Sequence, residues 1–314
     1  MAGKPQLLGI NHGKEYYLCP ADKGHVAPYV AWRVPDIRES IRARPGWKIL
    51  GADYSQIEVR IMAYESGDEW LTTALNSGKD IHCYMASDVH GVDYDIFYKI
   101  YKDEGHPLYH KYYGWRSEIK TTTFGVPYGA GPEQIASQIN SARKPHDPEP
   151  PYTEEQAKVL ISEYFSKAKG LKKWLEQRGD HALQYGESKS LGGHYRFYQL
   201  PFPGADDYQE RIAQIRRWSG NHPIQAGCAD MLKMAVGKIY LDLRAGISSG
   251  PLVYQGHFML FVHDELVLTA RDEDVEPVKK IMLDGMQWAY DEMIGVKNII
   301  HSTDVTVADY WKKG

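Results

Sequence analysis

The run FVHDELVL, residues 261–268, sets Asp264 and Glu265 in the middle of an apolar stretch. Ionised carboxylates are very costly to bury without partners, so a chain that keeps two of them there usually has a cation to hold. The segment LGADYSQIEVR, 50–60, repeats the pattern with an apolar lead-in, then Asp53, then the start of a helix. Carboxylates at two strand ends can bridge a pair of Mg²⁺ ions about 3.5–4 Å apart, the arrangement that phosphoryl transfer uses. Either aspartate alone reads equally well as a turn former or a helix cap. Taken together, and with the clusters that follow, they favour the metal site.

Two further patterns carry chemistry. In RSEIKTTTFGVPYG, 116–129, Arg116, Lys120 and Phe124 fall four apart and form one helical stripe, with Tyr128 at its far end. Two cations followed by a ring suit a nucleoside triphosphate, with charge for the phosphates and a flat face for sugar and base. The commoner fate of such a stripe is an exposed basic face whose aromatic enters the core. In RRWSGNHPIQAG, 216–227, Arg217, Asn221 and Gln225 are again four apart, with Gly220 and Pro223 breaking the helix. These side chains suit the acceptors of a duplex minor groove, which differ little between base pairs. Alone, that stretch reads as a loop-to-helix junction.

The elements that must position these groups follow from periodicity and punctuation. WKILGAD (47–53) is a buried strand, and SQIEVRIMAYESG is a helix burying Ile57, Ile61 and Met62, with Gly67 just past its end. Residues 81–135 are mostly helical, with a polar, Tyr-rich interruption over 93–114. KPHDPEPPYT (144–153) is a surface loop. TEEQAKVLISEYFSKAKGLKKWLEQ is one amphipathic helical pattern opened by Thr153. SKSLGGHYRFYQL (188–200) is a Gly-turned hairpin, and helices return over 207–219 and 226–245. HFMLFVHDELVLTA (257–270) is a hairpin turning at His263-Asp264, followed by a helix and a short terminal strand.

This order predicts an α+β fold in which a helical insertion interrupts a sheet domain. The expected divisions are an N-terminal arm (1–45), a first sheet segment (46–80), the insertion (81–205) and a second sheet segment (206–314). With 37 basic and 41 acidic residues, the formal charge is −4, which argues against indiscriminate nucleic-acid binding but not against a local basic cleft. Three cysteines without CxxC spacing exclude a zinc site or a disulfide framework. No signal peptide or membrane span is visible, so the expectation is a soluble, cytoplasmic protein.

The segment Asp53-Tyr54-Ser55-Gln56-Ile57-Glu58-Val59-Arg60 resembles motif A of the DNA polymerase I family, family A. Arg116-xxx-Lys120-xxx-Phe124-Gly125-xx-Tyr128-Gly129 resembles its motif B, and Val262-His263-Asp264-Glu265 its motif C. Asp80-Ile81-His82 and Asn221-x-Pro223-x-Gln225-Ala226-Gly227 also match, all in the family's order, over roughly residues 46–314. The resemblance implies a right-hand polymerase palm, an antiparallel sheet backed by helices, with a mostly helical fingers insertion. It implies a DNA-templated DNA polymerase that uses two Mg²⁺ ions, with primer–template DNA and dNTPs as partners. Asp53, Asp264 and the Tyr54 carbonyl would hold metal, with Glu265 in a supporting catalytic role. Arg116, Lys120 and His82 would meet the triphosphate, and Phe124 and Gln56 would complete the nucleotide site. Tyr128 would stack near the templating base, and Glu58 would exclude a 2′-hydroxyl. Arg217, Asn221, Gln225, His263 and Arg196 would touch the primer–template.

Three departures accompany the resemblance. Only some fifty residues precede Asp53, too few for the family's thumb or an exonuclease domain, so the expectation is either a second polypeptide supplying one of them, as in a split polymerase of a phage-infected or bacterial cell, or a sequence that is a fragment of a longer protein. Pro127 predicts a kink or an early end to the motif B helix. Of the arginines the family places in the hairpin at 192–196, only Arg196 survives. The alternative to a polymerase is a non-catalytic DNA-binding or regulatory remnant, against which the retention of Asp53, Asp264, Arg116, Lys120 and Tyr128 speaks.

Overall fold

A computed structural model describes residues 15–16, 32–33, 37–143, 150–248, 256–295 and 303–312. The N-terminal arm and the Pro-rich loop lie largely outside these residues. Of the arm, β1 (Glu15–Tyr16) pairs antiparallel with β2 (Trp32–Arg33). The chain divides into a sheet unit (Met1–Ser55, Ala235–Gln287 and Ser302–Gly314) and a helical unit (Gln56–Met234 and Trp288–His301).

The sheet unit is built on β3 (Trp47–Tyr54), β6 (Gly256–Val262), β7 (Glu265–Arg271) and β8 (Thr303–Ala308), in the order β6-β7-β3-β8 and antiparallel throughout. β3 is central and largely buried, which explains its nearly unbroken apolar run. Ile49, Val267 and Trp311 form one core cluster, joined by Ile41, Met259 and Val262. Two helices pack on the strands, α9 (Tyr208–Ser248) and α10 (Val275–Met293). A Cβ on Gly256 of β6 would lie 3.1 Å from both Leu243 of α9 and Val278 of α10. The Tyr54 hydroxyl crosses to α10 and donates to the Met286 carbonyl at 2.9 Å, which fixes the end of β3.

The helical unit holds α1 (Ile57–Ser66), α2 (Glu69–Asn76), α3 (Ile81–Val89), α4 (Tyr94–Lys102), α5 (Tyr109–Gly125), α6 (Pro132–Ala142), α7 (Glu154–Lys167) and α8 (Lys169–Tyr185). It also holds the hairpin of β4 (Glu187–Lys189) and β5 (Tyr195–Phe197). As expected, α1 buries Ile57, Ile61 and Met62 and ends at Gly67 in the left-handed region. Each such side chain contributes roughly 2 kcal/mol by leaving water. α7 opens on a capping box between Thr153 and Gln156. No helix among the described residues is long and apolar enough to cross a membrane.

Three expectations change. The Tyr-rich interruption is mostly helix: Asp93 caps α4, whose Phe97 and Ile100 are buried, and its tyrosines stack on one another instead of entering a loop. The single pattern from Thr153 is two helices, because buried Asp68 intervenes. One Asp68 oxygen caps α2 through the Leu71 amide at 3.0 Å, and the other accepts from the Leu171 amide at 3.0 Å in the first turn of α8. Gly170 permits this approach, since a Cβ there would stand 2.8 Å from the Asp68 Cα. Asp68→Ala should therefore lower unfolding stability by about 2–3 kcal/mol, more than an ordinary cap, because it leaves two donors unmet. Chemical denaturation followed by circular dichroism measures it.

The third change is α9, which runs unbroken through Pro223 where two helices were expected. An interior proline costs about 3 kcal/mol in isolation. Here the surrounding turns are buried at Ser219, Pro223, Ile224 and Met231, and packing outweighs the lost hydrogen bond. Gly220 is not a breaker either. A Cβ there would meet Leu175 at 2.8 Å, so it is the glycine that lets α8 approach.

Candidate active site

In the sheet unit the geometry starts from register. Asp53 is the partner of Glu265 across β3 and β7, and of Asp304 across β3 and β8. Asp264 occupies the two-residue turn between β6 and β7, and its carbonyl accepts from the Tyr54 amide at 3.3 Å. The main chains bearing Asp53 and Asp264 are thus bonded side by side. Residues directly opposite on antiparallel strands point to the same face, and facing like charges repel. A row of Asp304, Asp53 and Glu265 therefore calls for positive charge.

Glu265 has its own. It is buried, accepts from the Trp311 indole at 2.6 Å and lies 3.4 Å from the Arg38 guanidinium. Gly51 makes room for it, since a Cβ there would be 3.3 Å from its Oε1. Asp53 and Asp264 differ in being the carboxylates of the strand end and turn. Among the described residues no set of three or more His, Cys, Asp or Glu side chains forms a closed metal cage. An oxygen set of two aspartates and a carbonyl instead fits Mg²⁺, which keeps open positions for water and substrate phosphates. Backbone strain marks the same stretches. The two non-glycine residues with positive φ among those described are Gln56, three after Asp53, and His263, immediately before Asp264, both at φ 56°. Such conformations cost roughly 1–3 kcal/mol and gather at functional sites.

In the helical unit, α5 carries the basic stripe. Arg116, Lys120 and Phe124 line one groove of about 320 Å³ together with Tyr113 and Gln138. Arg116 is held in a fork by Asp80, Nε to Oδ1 at 3.1 Å and Nη2 to Oδ2 at 2.9 Å, and lies over the Tyr101 ring at 5.0 Å. Burial would raise the Asp80 carboxyl, but the Arg116 fork and the Cys83 amide outweigh it and hold it below the ordinary range. Asp80 also caps α3, so one carboxylate fixes both the helix start and the arginine. The sequence showed Asp80 only as part of a motif and gave no sign of this pairing.

His82, two residues along, is buried edge-on to Phe124 at 5.8 Å, and neither ring nitrogen has a hydrogen-bond partner. Burial first, then the neighbouring Arg116, pushes it down to about 3. The folded state thus resists a proton that the unfolded chain accepts near pH 6.5. Stability should fall as pH drops below that value, by up to about 1.4 kcal/mol per pH unit from this group. His82→Phe should flatten the decline in melting temperature between pH 7 and 5, read by calorimetry.

The motif B helix ends early, as Pro127 predicts. α5 stops at Gly125, and the Ala130 and Gly129 amides then close on the Gly125 and Val126 carbonyls at 3.0 and 2.8 Å, a Schellman arrangement with Gly129 at φ 75°. Arg217 packs straight onto Gly129, where a Cβ would stand 2.1 Å from its Cγ. The closure delivers Tyr128 to Glu58 and Gln225. The Tyr128 hydroxyl donates to Glu58 Oε2, and Gln225 Nε2 donates to the Tyr128 oxygen and, at 2.9 Å, to Glu58 Oε1. Burial, followed by the Glu58 carboxylate, raises the phenol well above its usual value, so Tyr128 stays a donor. Three residues given separate roles by the resemblance form one ring of hydrogen bonds. Asn221 lies one turn before Gln225 on α9, and Arg196 lies over the Trp218 ring at 4.7 Å.

The palm-type sheet and the motif-bearing helices define a polymerase fold, and comparison with known proteins agrees. The profile of DNA polymerase family A matches residues 31–313, and the chain belongs to this family. DNA polymerase I of Chloroflexus aurantiacus is 31% identical over 261 residues, covering 82% of this chain and 24% of that protein. The thermostable DNA polymerase I of Thermus aquaticus is 30% identical over 258 residues, 81% of this chain and 26% of that protein. The chain thus spans about a quarter of the length of these relatives. Among solved structures, the POL domain of Pol1 from M. smegmatis, in complex with DNA primer-template and dNTP, aligns with a TM-score of 0.69 and 26% identity. That alignment covers 88% of this chain and 42% of the other.

Proposed function

We propose that this chain carries the nucleotidyl-transfer centre of a DNA-templated DNA polymerase, extending a primer 3′-hydroxyl with dNTPs. The observation that supports the reading is the pairing of β3 with the β6–β7 hairpin, in which Asp53 faces Glu265 and the next residue, Tyr54, bonds the Asp264 carbonyl. Two Mg²⁺ ions held by Asp53, Asp264 and the Tyr54 carbonyl would supply the charge that sharpens the attacking hydroxyl and carries the departing pyrophosphate. The chain's own part is positioning and neutralisation. Arg116 and Lys120 bind the triphosphate, with Asp80 aiming Arg116, and His82 braces Phe124 beneath the sugar. Both His82 ring nitrogens are buried, so this supporting role replaces the phosphate contact that the resemblance implies for it. Gln56, the residue that caps the start of α1, is assigned to complete the nucleotide site. Tyr128 receives the templating base, while Arg217, Asn221, Gln225, His263 and Arg196 hold the primer–template. The rest of the relatives' length, wherever it is encoded, is the proposed source of further grip on the duplex, and a second polypeptide is one such source.

The test is extension of a labelled primer on a DNA template with Mg²⁺ and dNTPs, with the chain alone and with lysate from its native source. Template-directed extension supports the reading, whereas binding without extension under both conditions points to a non-catalytic remnant. Glu58 is assigned the exclusion of a 2′-hydroxyl. Glu58→Ala should therefore raise the efficiency of ribonucleotide relative to deoxyribonucleotide incorporation by about ten- to a hundredfold, the range that pocket contacts discriminate. Single-nucleotide incorporation kinetics read the ratio.

A further inference from the structure

Asp304 completes a row of carboxylates drawn from three distant parts of the sequence. Its place is fixed by register: it is the partner of Asp53 across β3 and β8, as Glu265 is across β3 and β7. A Cβ on Gly51 would meet the Thr306 hydroxyl at 3.2 Å and Glu265 Oε1 at 3.3 Å, so these three positions meet on one face of the sheet. Asp53 lies two residues beyond Gly51, and Asp304 two before Thr306. Side chains along a strand return to the same face every second residue. Asp304, Asp53 and Glu265 therefore share that face, with neighbouring Cβ atoms about 5 Å apart.

The protein supplies cations to neighbouring acids and none to Asp304. Glu265 lies against Arg38 and accepts from the Trp311 indole. Asp309, just past the end of β8, takes Lys48 at 2.6 Å. Asp304 is exposed and makes no ion pair or side-chain hydrogen bond among the described residues. A charge on an edge strand such as β8 can serve to deter pairing with another chain. That purpose does not call for a place opposite Asp53, where like charges repel. A cation held at Asp53 turns the same placement from a cost into a gain.

We infer that Asp304 is a further carboxylate of the metal site, acting through bound water on the ion that Asp53 holds. Among the described residues the acids do not close into a cage, which sets Asp304 apart from direct ligands. Mg²⁺ gives up water reluctantly and keeps several molecules when one or two carboxylates bind it. An exposed carboxylate one strand away is suited to accept from those waters. Groups that orient a metal's ligands in this way carry about ten- to a hundredfold of its affinity. The inference deepens the polymerase reading and rests on its metal site, but its test needs neither DNA nor dNTP.

The test is Mn²⁺ binding to the full chain, read from the electron paramagnetic resonance of the free ion. Asp304→Asn should weaken binding about tenfold, and Asp304→Glu, which keeps the charge, should recover most of the loss. Asp53→Asn should remove most of the binding, whereas Asp309→Asn, whose carboxylate belongs to Lys48, should leave it unchanged. In EDTA, Asp304→Asn should melt at or above the wild-type temperature because repulsion is relieved, which separates weaker binding from lost folding. Added Mn²⁺ should then raise the wild-type melting temperature by more than that of the variant. Equal Mn²⁺ affinity in wild type and Asp304→Asn overturns the inference and leaves Asp304 a solvated charge on the sheet edge. Weaker binding in Asp304→Asn with normal binding in Asp53→Asn also overturns it, because the ion then lies elsewhere, and so does a wild type that binds no Mn²⁺. Failure of primer extension with the expected Mn²⁺ results intact would overturn the catalytic reading alone.

Discussion

Replacing Asp264 with alanine should reduce single-turnover primer extension by about a thousandfold or more while leaving the fold in place. Metal-assisted charge stabilisation is worth several kcal/mol at a reacting phosphate, and about 4 kcal/mol corresponds to three powers of ten in rate. The side chain is separable from the architecture because the turn is held by main chain, with the Asp264 carbonyl receiving the Tyr54 amide and Val262 paired with Glu265 on either side of it. The melting temperature should consequently stay within a few degrees of wild type, since removing one of several neighbouring carboxylates also relieves their mutual repulsion. Asp53→Asn should behave alike. Wild-type rates in the Asp264 variant would remove this carboxylate from the mechanism, and a large drop in melting temperature would make it structural instead. The two readouts together separate catalysis from folding.

The chemistry was legible in the sequence wherever it depends on local spacing. The strand leading to Asp53, the helix after it and the turn at His263-Asp264 follow from apolar runs punctuated by polar groups, and all three lie where expected. Pro127 foretold the end of α5 because a missing N–H acts on its own turn. What stayed hidden was set by partners far away in the chain. Asp68 divides α7 from α8 across about a hundred residues, and no periodicity within 153–185 could reveal it. Pro223 sits inside α9 because burial outweighed a local penalty. Asp80 holding Arg116, Asp304 facing Asp53, and the ring of Glu58, Tyr128 and Gln225 are likewise products of tertiary contact.

Glu265 tests the same distinction from the opposite side, because its sequence neighbourhood pairs it with Asp264 while its contacts set it apart. Glu265→Ala should lower unfolding stability by about 3–5 kcal/mol, the cost of breaking a buried ion pair. The group that loses this carboxylate is Arg38, which is buried and packs over the Trp311 ring at 4.3 Å. The Trp311 indole would lose its acceptor as well. Glu265→Gln should cost less than alanine, since an amide oxygen can still accept from Trp311, although the charge beside Arg38 is gone. A double variant with Arg38→Met should recover part of the alanine loss, because it removes the buried cation together with the carboxylate it faced. Urea unfolding of the wild type, Glu265→Ala, Arg38→Met and the double variant closes the cycle. A coupling near zero would mean that Arg38 and Glu265 do not support one another, and Glu265 would return to the candidates for metal binding beside Asp53. A coupling of a few kcal/mol, with extension lost only in proportion to the unfolded fraction, assigns it to the frame that holds β3 and β7 in register beneath the two aspartates.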